Sequence, residues 1–190
     1  MKIAFSGAQS TGKSTLIKYL KEHNVFKPEV KFIDSVTREI QKKGFKINEN
    51  SGDDTQNAMI DAHEALLRAN ISGDTVWDRC IVDVCAYTWY LYGEGKVSSL
   101  TCGRALSSIL SNFREYDLIF YIPPEFDIVQ DGVRSDSTTF RDSVASTMEA
   151  LVDAVAIAGG KVVKLSGTVE DRAKQVINAV EKCDLKEMLC

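Results

Sequence analysis

Lys2-Ile3-Ala4-Phe5-Ser6, followed directly by Gly7-Ala8-Gln9-Ser10-Thr11-Gly12-Lys13-Ser14-Thr15, is the stretch on which the fold turns. Its first five residues read as a strand, its middle as a glycine-rich turn, and the residues from about Lys13 to His23 as a helix. The turn carries the pattern G-x-x-x-x-G-K-[ST] in the strand, turn, helix context that gives the pattern its meaning. Glycines let the backbone curl so that successive N–H groups point inward at an anion. The start of a helix adds the positive end of its dipole at the same place. Lys13 then reaches β- and γ-phosphate oxygens as a point charge, and the Ser14 hydroxyl is a ligand for Mg²⁺. Gly7, Gln9, Ser10, Thr11, Gly12, Lys13, Ser14 and Thr15 are the residues assigned to the phosphates of ATP or a close relative.

Outward from the turn, short β-like runs alternate with longer helical stretches. Further strands are expected at Val30 to Ile33, Thr75 to Trp77, Asp117 to Ile122 and Lys161 to Leu165. Helices are expected at about Asp53 to Asn70, Cys80 to Tyr92, Leu100 to Phe113, Ser143 to Ile157 and Val169 to Val180. Five strands, all suited to parallel pairing, predict an α/β fold: a single doubly wound domain over residues 1–190, with a five-stranded, mainly parallel sheet and helices on both faces. No internal repeat, low-complexity tract or linker divides the chain. The stretch from Pro123 to Asp142 is polar and without clear periodicity.

A chain of 190 residues buries a sizeable core without disulfides or a structural metal. Its 44% hydrophobic and 26% charged residues argue against disorder. The net charge of -4 and pI of about 5.3 argue against an extended nucleic-acid or anionic-membrane surface, while leaving room for a local basic cleft. The five cysteines are odd in number and form no C-x-x-C pair, as expected of reduced thiols. No apolar run is long enough for a membrane span, and the first is too short for a signal peptide, so a soluble cytoplasmic protein is expected.

A guanine-reading N-K-x-D element is absent, as is an apolar run ending in Asp-Glu of the kind ring-forming ATPases carry. The third strand ends instead in Asp78-Arg79, within Trp77-Asp78-Arg79-Cys80-Ile81-Val82-Asp83. With Thr37-Arg38-Glu39, Gln56, Ala86-Tyr87, Asp131-Gly132-Val133-Arg134, Leu165-Ser166-Gly167, Glu170 and Arg172, these marks span nearly the whole chain. In them the sequence resembles the nucleoside and nucleotide kinase branch of phosphate-loop proteins, and within it the ribosylnicotinamide-kinase-like group of bacterial enzymes and phage proteins. It is similar also to thymidylate kinases, which carry an Asp-Arg pair at the same strand end.

The resemblance implies roles for particular residues. Asp78 faces the acceptor as general base or as ligand of a Mg²⁺ water. Arg79 contacts phosphate oxygens, and Asp83, one turn further on, either pairs with Arg79 or takes a functional part. The stretch at 123–142 lies where related kinases place a mobile lid, from which Arg134 and Arg141 bring positive charge to the transferring phosphoryl. Gly167 lies where related proteins pack the adenine, or is simply a turn residue ahead of an N-cap at Thr168. Asp34, Arg38 and Gln56 lie on segments that face the acceptor. Trp77, Tyr87, Trp89, Tyr90 and Tyr92 belong either to the core or to base stacking. Both histidines are expected to be structural or exposed.

The function expected from these implications is an ATP- and Mg²⁺-dependent kinase of a nucleoside or nucleotide. Lys13, Asp78, Arg79, Arg134 and Arg141 are its catalytic residues, Ser14 and Asp78 hold its metal, and no membrane takes part. Two alternatives stand beside it: a phage-type kinase of a modified base in DNA, such as 5-hydroxymethyluracil, and a nucleotide-binding switch that transfers no phosphate.

Overall fold

β1 (Lys2–Ser6) lies at the centre of the sheet, with β3 (Thr75–Asp78) on one side and β4 (Leu118–Tyr121) on the other. The computed structural model describes residues 1–69, 71–126, 137–183 and 188–190. Within them β2 (Lys31–Ile33) and β5 (Val162–Lys164) form the two edges, giving the order β2-β3-β1-β4-β5 with every pair parallel. The five-stranded sheet expected from the sequence is thus wholly parallel.

Parallel neighbours cannot be joined by tight turns, so the connections are helices packed on the sheet. α1 (Lys13–Glu22) leads from β1 to β2, and α2 (Val36–Lys42) and α3 (Asp53–Arg68) lead on to β3. α4 (Ile81–Gly93) and α5 (Ser99–Asn112) lead to β4, α6 (Thr138–Ile157) to β5, and α7 (Val169–Lys182) follows. Ile3, Phe5, Val76, Leu118 and Phe120 pack on one side with Leu16 and Leu20 of α1 and Val176 and Val180 of α7. Ala4, Trp77, Ile119 and Tyr121 pack on the other with residues of α3, α4, α5 and α6. Strands covered on both faces carry apolar residues at successive positions, which is why these runs do not alternate in the sequence.

The start of α6 and the presence of α2 depart most from expectation. α6 begins at Thr138 rather than near Ser143, because the Ser137 hydroxyl accepts from the Phe140 N–H at 3.1 Å and Phe140 and Arg141 are buried in its first turn. The end of the stretch expected to form a lid is therefore helical. α2 has seven residues, of which only Val36 and Ile40 are buried, too few to show a helical period in the sequence.

The chain leaves β1 toward the β2 edge and later lays β4 on the opposite side of β1. Connections diverge at this point, and a crevice opens at the carboxyl ends of the strands. The register sets Asp78 level with Phe5, so the end of β3 stands beside the turn that follows Ser6.

Candidate active site

Gly7 cannot be replaced without moving backbone: a Cβ there would lie 2.8 Å from the Ile122 carbonyl oxygen and 2.9 Å from Thr11 Oγ1. Ser10 (φ 58°) and Gly12 (φ 86°) are left-handed, and such turns direct consecutive N–H groups into one concavity. Lys13 opens α1, so the positive end of its dipole points into the same space. The resulting cleft of about 390 Å³ is within the range of small-molecule sites. Gln9, Ser10, Gly12, Lys13, Ser14 and Thr15 line it together with Thr37, Arg38 and Asn48.

Lys13 is buried, with its Nζ 3.3 Å from Asp78 Oδ1. Burial, and then the positive Arg79, push its pKa below the ordinary lysine range against the pull of Asp78 and Asp83. For Asp78 burial works against ionisation, but Lys13, Arg79 and Arg38 outweigh it and hold the carboxyl below the usual carboxylate range. Apart from that ion pair, Asp78 Oδ1 is buried without a hydrogen bond among the described residues, as are Ser10 Oγ and Gln9 Nε2. Buried polar atoms of this kind are costly unless a ligand satisfies them. The donor set thus fits a polyphosphate with a divalent cation: loop N–H groups, a lysine and a helix start for phosphate oxygens, and the Ser14 hydroxyl and Asp78 carboxylate for the metal.

A second set of residues braces the loop from behind. Arg79 follows β3 with φ 78°, a conformation that costs a non-glycine residue about 1–3 kcal/mol. Its N–H donates to the Phe5 carbonyl at 2.9 Å, and its guanidinium donates to the Gly7 carbonyl at 3.2 Å and to Asp83 at 3.0 Å. Asp83 also accepts from the Gly7 and Cys80 N–H groups, at 3.2 and 3.0 Å. The pairing of Arg79 with Asp83 is therefore present, and the contacts of Arg79 go to the back of the loop. The Tyr87 hydroxyl donates to Gln9 Oε1 at 2.8 Å, which fixes the Gln9 side chain.

The far end of the chain supplies a third support. Arg172, fully buried on α7, donates to the Thr11 carbonyl at 2.7 Å and to Glu125 at 2.9 Å, with its guanidinium 4.9 Å from the centre of the Phe126 ring. The Gly167 N–H donates to the same Glu125 oxygen at 2.8 Å, and Thr168 and Asp171 form a capping box at the start of α7. Gly167 (φ 86°) accordingly serves as a turn residue tied to Glu125. Arg141, expected on a loop, instead sits in the first turn of α6, where it donates to Asp142 and to the Phe126 carbonyl, both at 2.8 Å. Arg134 lies outside the described residues.

Of the three residues expected together at the acceptor, Asp34 and Arg38 line one groove with Ser14 and Asp78, and Gln56 lies apart. Gln56 is buried in an inner, partly enclosed cavity with Met59, His63, Asp83, Val84 and Tyr87. Arg38 lines both the loop cleft and that outer groove, where Asp34, Lys18 and Phe32 also stand. The cause is topological: Asp34 follows an edge strand, whereas Gln56 lies on α3, against the opposite face of the central strands. Trp77 and Tyr87 pack in or against the core, whereas Trp89 and Tyr92 are exposed.

Sequence pattern alone offers no reason to single out His63, which is 2% exposed with neither ring nitrogen hydrogen-bonded among the described residues. Burial lowers its pKa to about 4, with the opposing influences of Asp83 and Arg79 smaller. A histidine depressed in the folded state contributes stability fully above its unfolded pKa near 6.5, and that stability is lost as pH falls toward the folded value. Urea titrations at a series of pH values are expected to show a loss on the order of 3 kcal/mol from this ring between pH 7 and pH 4. His63→Leu should flatten that slope, and an unchanged slope assigns the titration to another group.

Strand order, loop and braced cleft together define an α/β protein with the P-loop kinase fold. The family model described as an AAA domain matches residues 2–172, and the chain belongs to that family. No curated protein matches it. Among solved structures it is similar to deoxyadenosine kinase from M. mycoides with dCMP and dCDP bound, with TM-score 0.67, 13% identity, and coverage of 96% of this chain and 100% of that one. The same kinase with bound dATP gives TM-score 0.68 and 14% identity over 95% of this chain and 99% of that one. The NadR protein in complex with NR gives TM-score 0.70 and 21% identity over 95% of this chain, which spans 50% of that protein.

Proposed function

We propose that this protein is an ATP- and Mg²⁺-dependent phosphotransferase acting on a free nucleoside or nucleotide. The observation that carries this reading is a second, much smaller cavity that adjoins the phosphate-loop cleft. The loop cleft and the inner cavity share Thr37, Asn48 and Arg79 as lining residues, and Asp78 lines the cleft beside Arg79. A switch that only binds nucleotide has no use for a second compartment beside its phosphate site. The net charge of -4 favours a small acceptor over duplex DNA. The bound deoxynucleotides of the M. mycoides kinase and the NR of NadR support the same class.

In this reading the loop amides, Lys13 and the start of α1 hold the triphosphate, and Ser14 and Asp78 hold the cation. ATP when bound supplies the transferable phosphoryl group. Asp78, kept ionised by Lys13, Arg79 and Arg38, orients the acceptor hydroxyl and takes its proton. Where the acceptor is itself a phosphate, no proton need leave and Asp78 positions the acceptor. Positioning and positive charge provide most of the catalysis in such transfers, which explains the extent of the bracing behind the loop.

Labelled ATP offered with nucleosides, nucleotides and duplexes carrying modified bases tests the proposal. Label is expected on a free nucleoside or nucleotide, with only shallow salt dependence. ATP binding without acceptor-dependent transfer indicates a switch. Transfer to duplex alone, with apparent affinity falling roughly 10³-fold from low to moderate salt, indicates a DNA kinase.

A further inference from the structure

α5 shows solvent an uncharged face. Its exposed residues are Ser99, Leu100, Gly103, Ser107, Leu110 and Ser111. α7, by contrast, exposes Glu170, Asp171, Lys174 and Glu181, as a helix washed by water usually does. Leu100 and Leu110 are 82% and 71% exposed and stand on the same side of α5. The one charge on α5, Arg104, is drawn off the face to α3, where it donates to Asn57 at 2.7 Å and pairs with Asp61.

Gly103 lies in the middle of that face. Glycine inside a helix lowers stability relative to alanine, and a crowding neighbour is the usual reason for one. Here a Cβ at position 103 would meet no atom within 4 Å. The packing of the chain itself therefore gives no reason for the glycine, and the clearance it leaves lies outside the molecule. Small residues at a helix contact let the two axes approach closely.

The face also fits a copy of itself. At about 100° per residue its positions span roughly 120° of the helix surface, centred opposite the buried Ala105. They fall in pairs about that residue: Leu100 with Leu110, Gly103 with Ser107, Ser99 with Ser111. Two such helices packed antiparallel about a two-fold axis set each leucine on a leucine and each glycine on a serine, the self-complementarity that an isologous interface requires. The charges agree with this partner. α5 has no acidic residue in its first turn and no basic residue in its last, and an antiparallel mate lays the opposite end of its own dipole beside each. We infer that the exposed face of α5 is a self-association surface, through which two copies of this chain pair antiparallel about a two-fold axis.

One helix from each copy buries less than the roughly 800 Å² per partner of a standard interface, so association in the micromolar range is expected. Sedimentation equilibrium of the full chain, from low to high micromolar concentration, tests this for wild type, Leu110→Glu and Gly103→Gln. Wild type should pass from the 21.0 kDa of one chain toward about twice that mass as concentration rises. Each variant should weaken the association by about tenfold or more, the first by setting a carboxylate against Leu100 of the mate, the second by filling the central clearance. Gly103→Gln also replaces a helix-interior glycine at an open position, so at concentrations where both are monomeric it should melt above wild type. That gain separates lost pairing from lost folding, and either variant decides the matter if the other does not fold. A wild type that stays monomeric throughout overturns the inference. So does a dimer whose affinity both variants leave unchanged, since its contact then lies elsewhere.

Discussion

Asp78→Asn is expected to lower turnover by about 10²–10⁴ while Mg-ATP affinity stays within a small factor, the usual span for a positioned acid or base. The argument rests on where Asp78 stands: at the end of β3, level with Phe5 beside the phosphate loop, and 3.3 Å from Lys13. Asparagine fills the same space, but it neither accepts a proton nor attracts Lys13 and a cation as a carboxylate does. Single-turnover transfer and calorimetry with a non-hydrolysable ATP analogue separate the two effects. A parallel fall in affinity and turnover would leave Asp78 with the cation or the scaffold alone and remove its part at the acceptor.

Lys13→Ala should leave the protein folded, remove most nucleotide affinity, and lower the rate by roughly 10²–10³, as loss of a preorganised electrostatic donor does. The pairing adds a consequence. Without Lys13, the buried Asp78 loses the largest of the influences that keep it ionised, so its pKa rises. Any residual activity of the variant should therefore decline at a higher pH than that of wild type as acid is added. Unchanged ATP binding and turnover would remove the loop from the nucleotide site altogether.

The fold was legible where strand, turn and helix start lie in neighbouring residues. The run from Lys2 to Thr15 carries strand, turn and helix start together, and Asp78 is marked by ending a strand. Sequence reading fell short where geometry joins distant positions. Nothing local separates Asp34 from Gln56, since strand order alone sends one to an outer groove and the other to the inner cavity. Arg172 could be noted in a motif, but its bond to Thr11 spans 161 residues. His63 occupies a position with core periodicity on α3, and only the missing hydrogen-bond partners set it apart from a packed side chain. Arg141 was misplaced because the cap at Ser137 starts α6 amid polar residues that hide the helical period.

The Arg172 bridge also has a meaning for the order in which the molecule can be assembled. The ribosome delivers the phosphate loop before the elements that support it: β1 meets β3 only once residues near 75 have emerged, and β4 only near 118. Glu125 comes next, and the guanidinium that grips Thr11 arrives with α7. The earliest-made part of the binding site is thus the last to receive its full set of contacts. A nascent chain that stops short of α7 carries the whole phosphate-loop sequence without the support that fixes its shape.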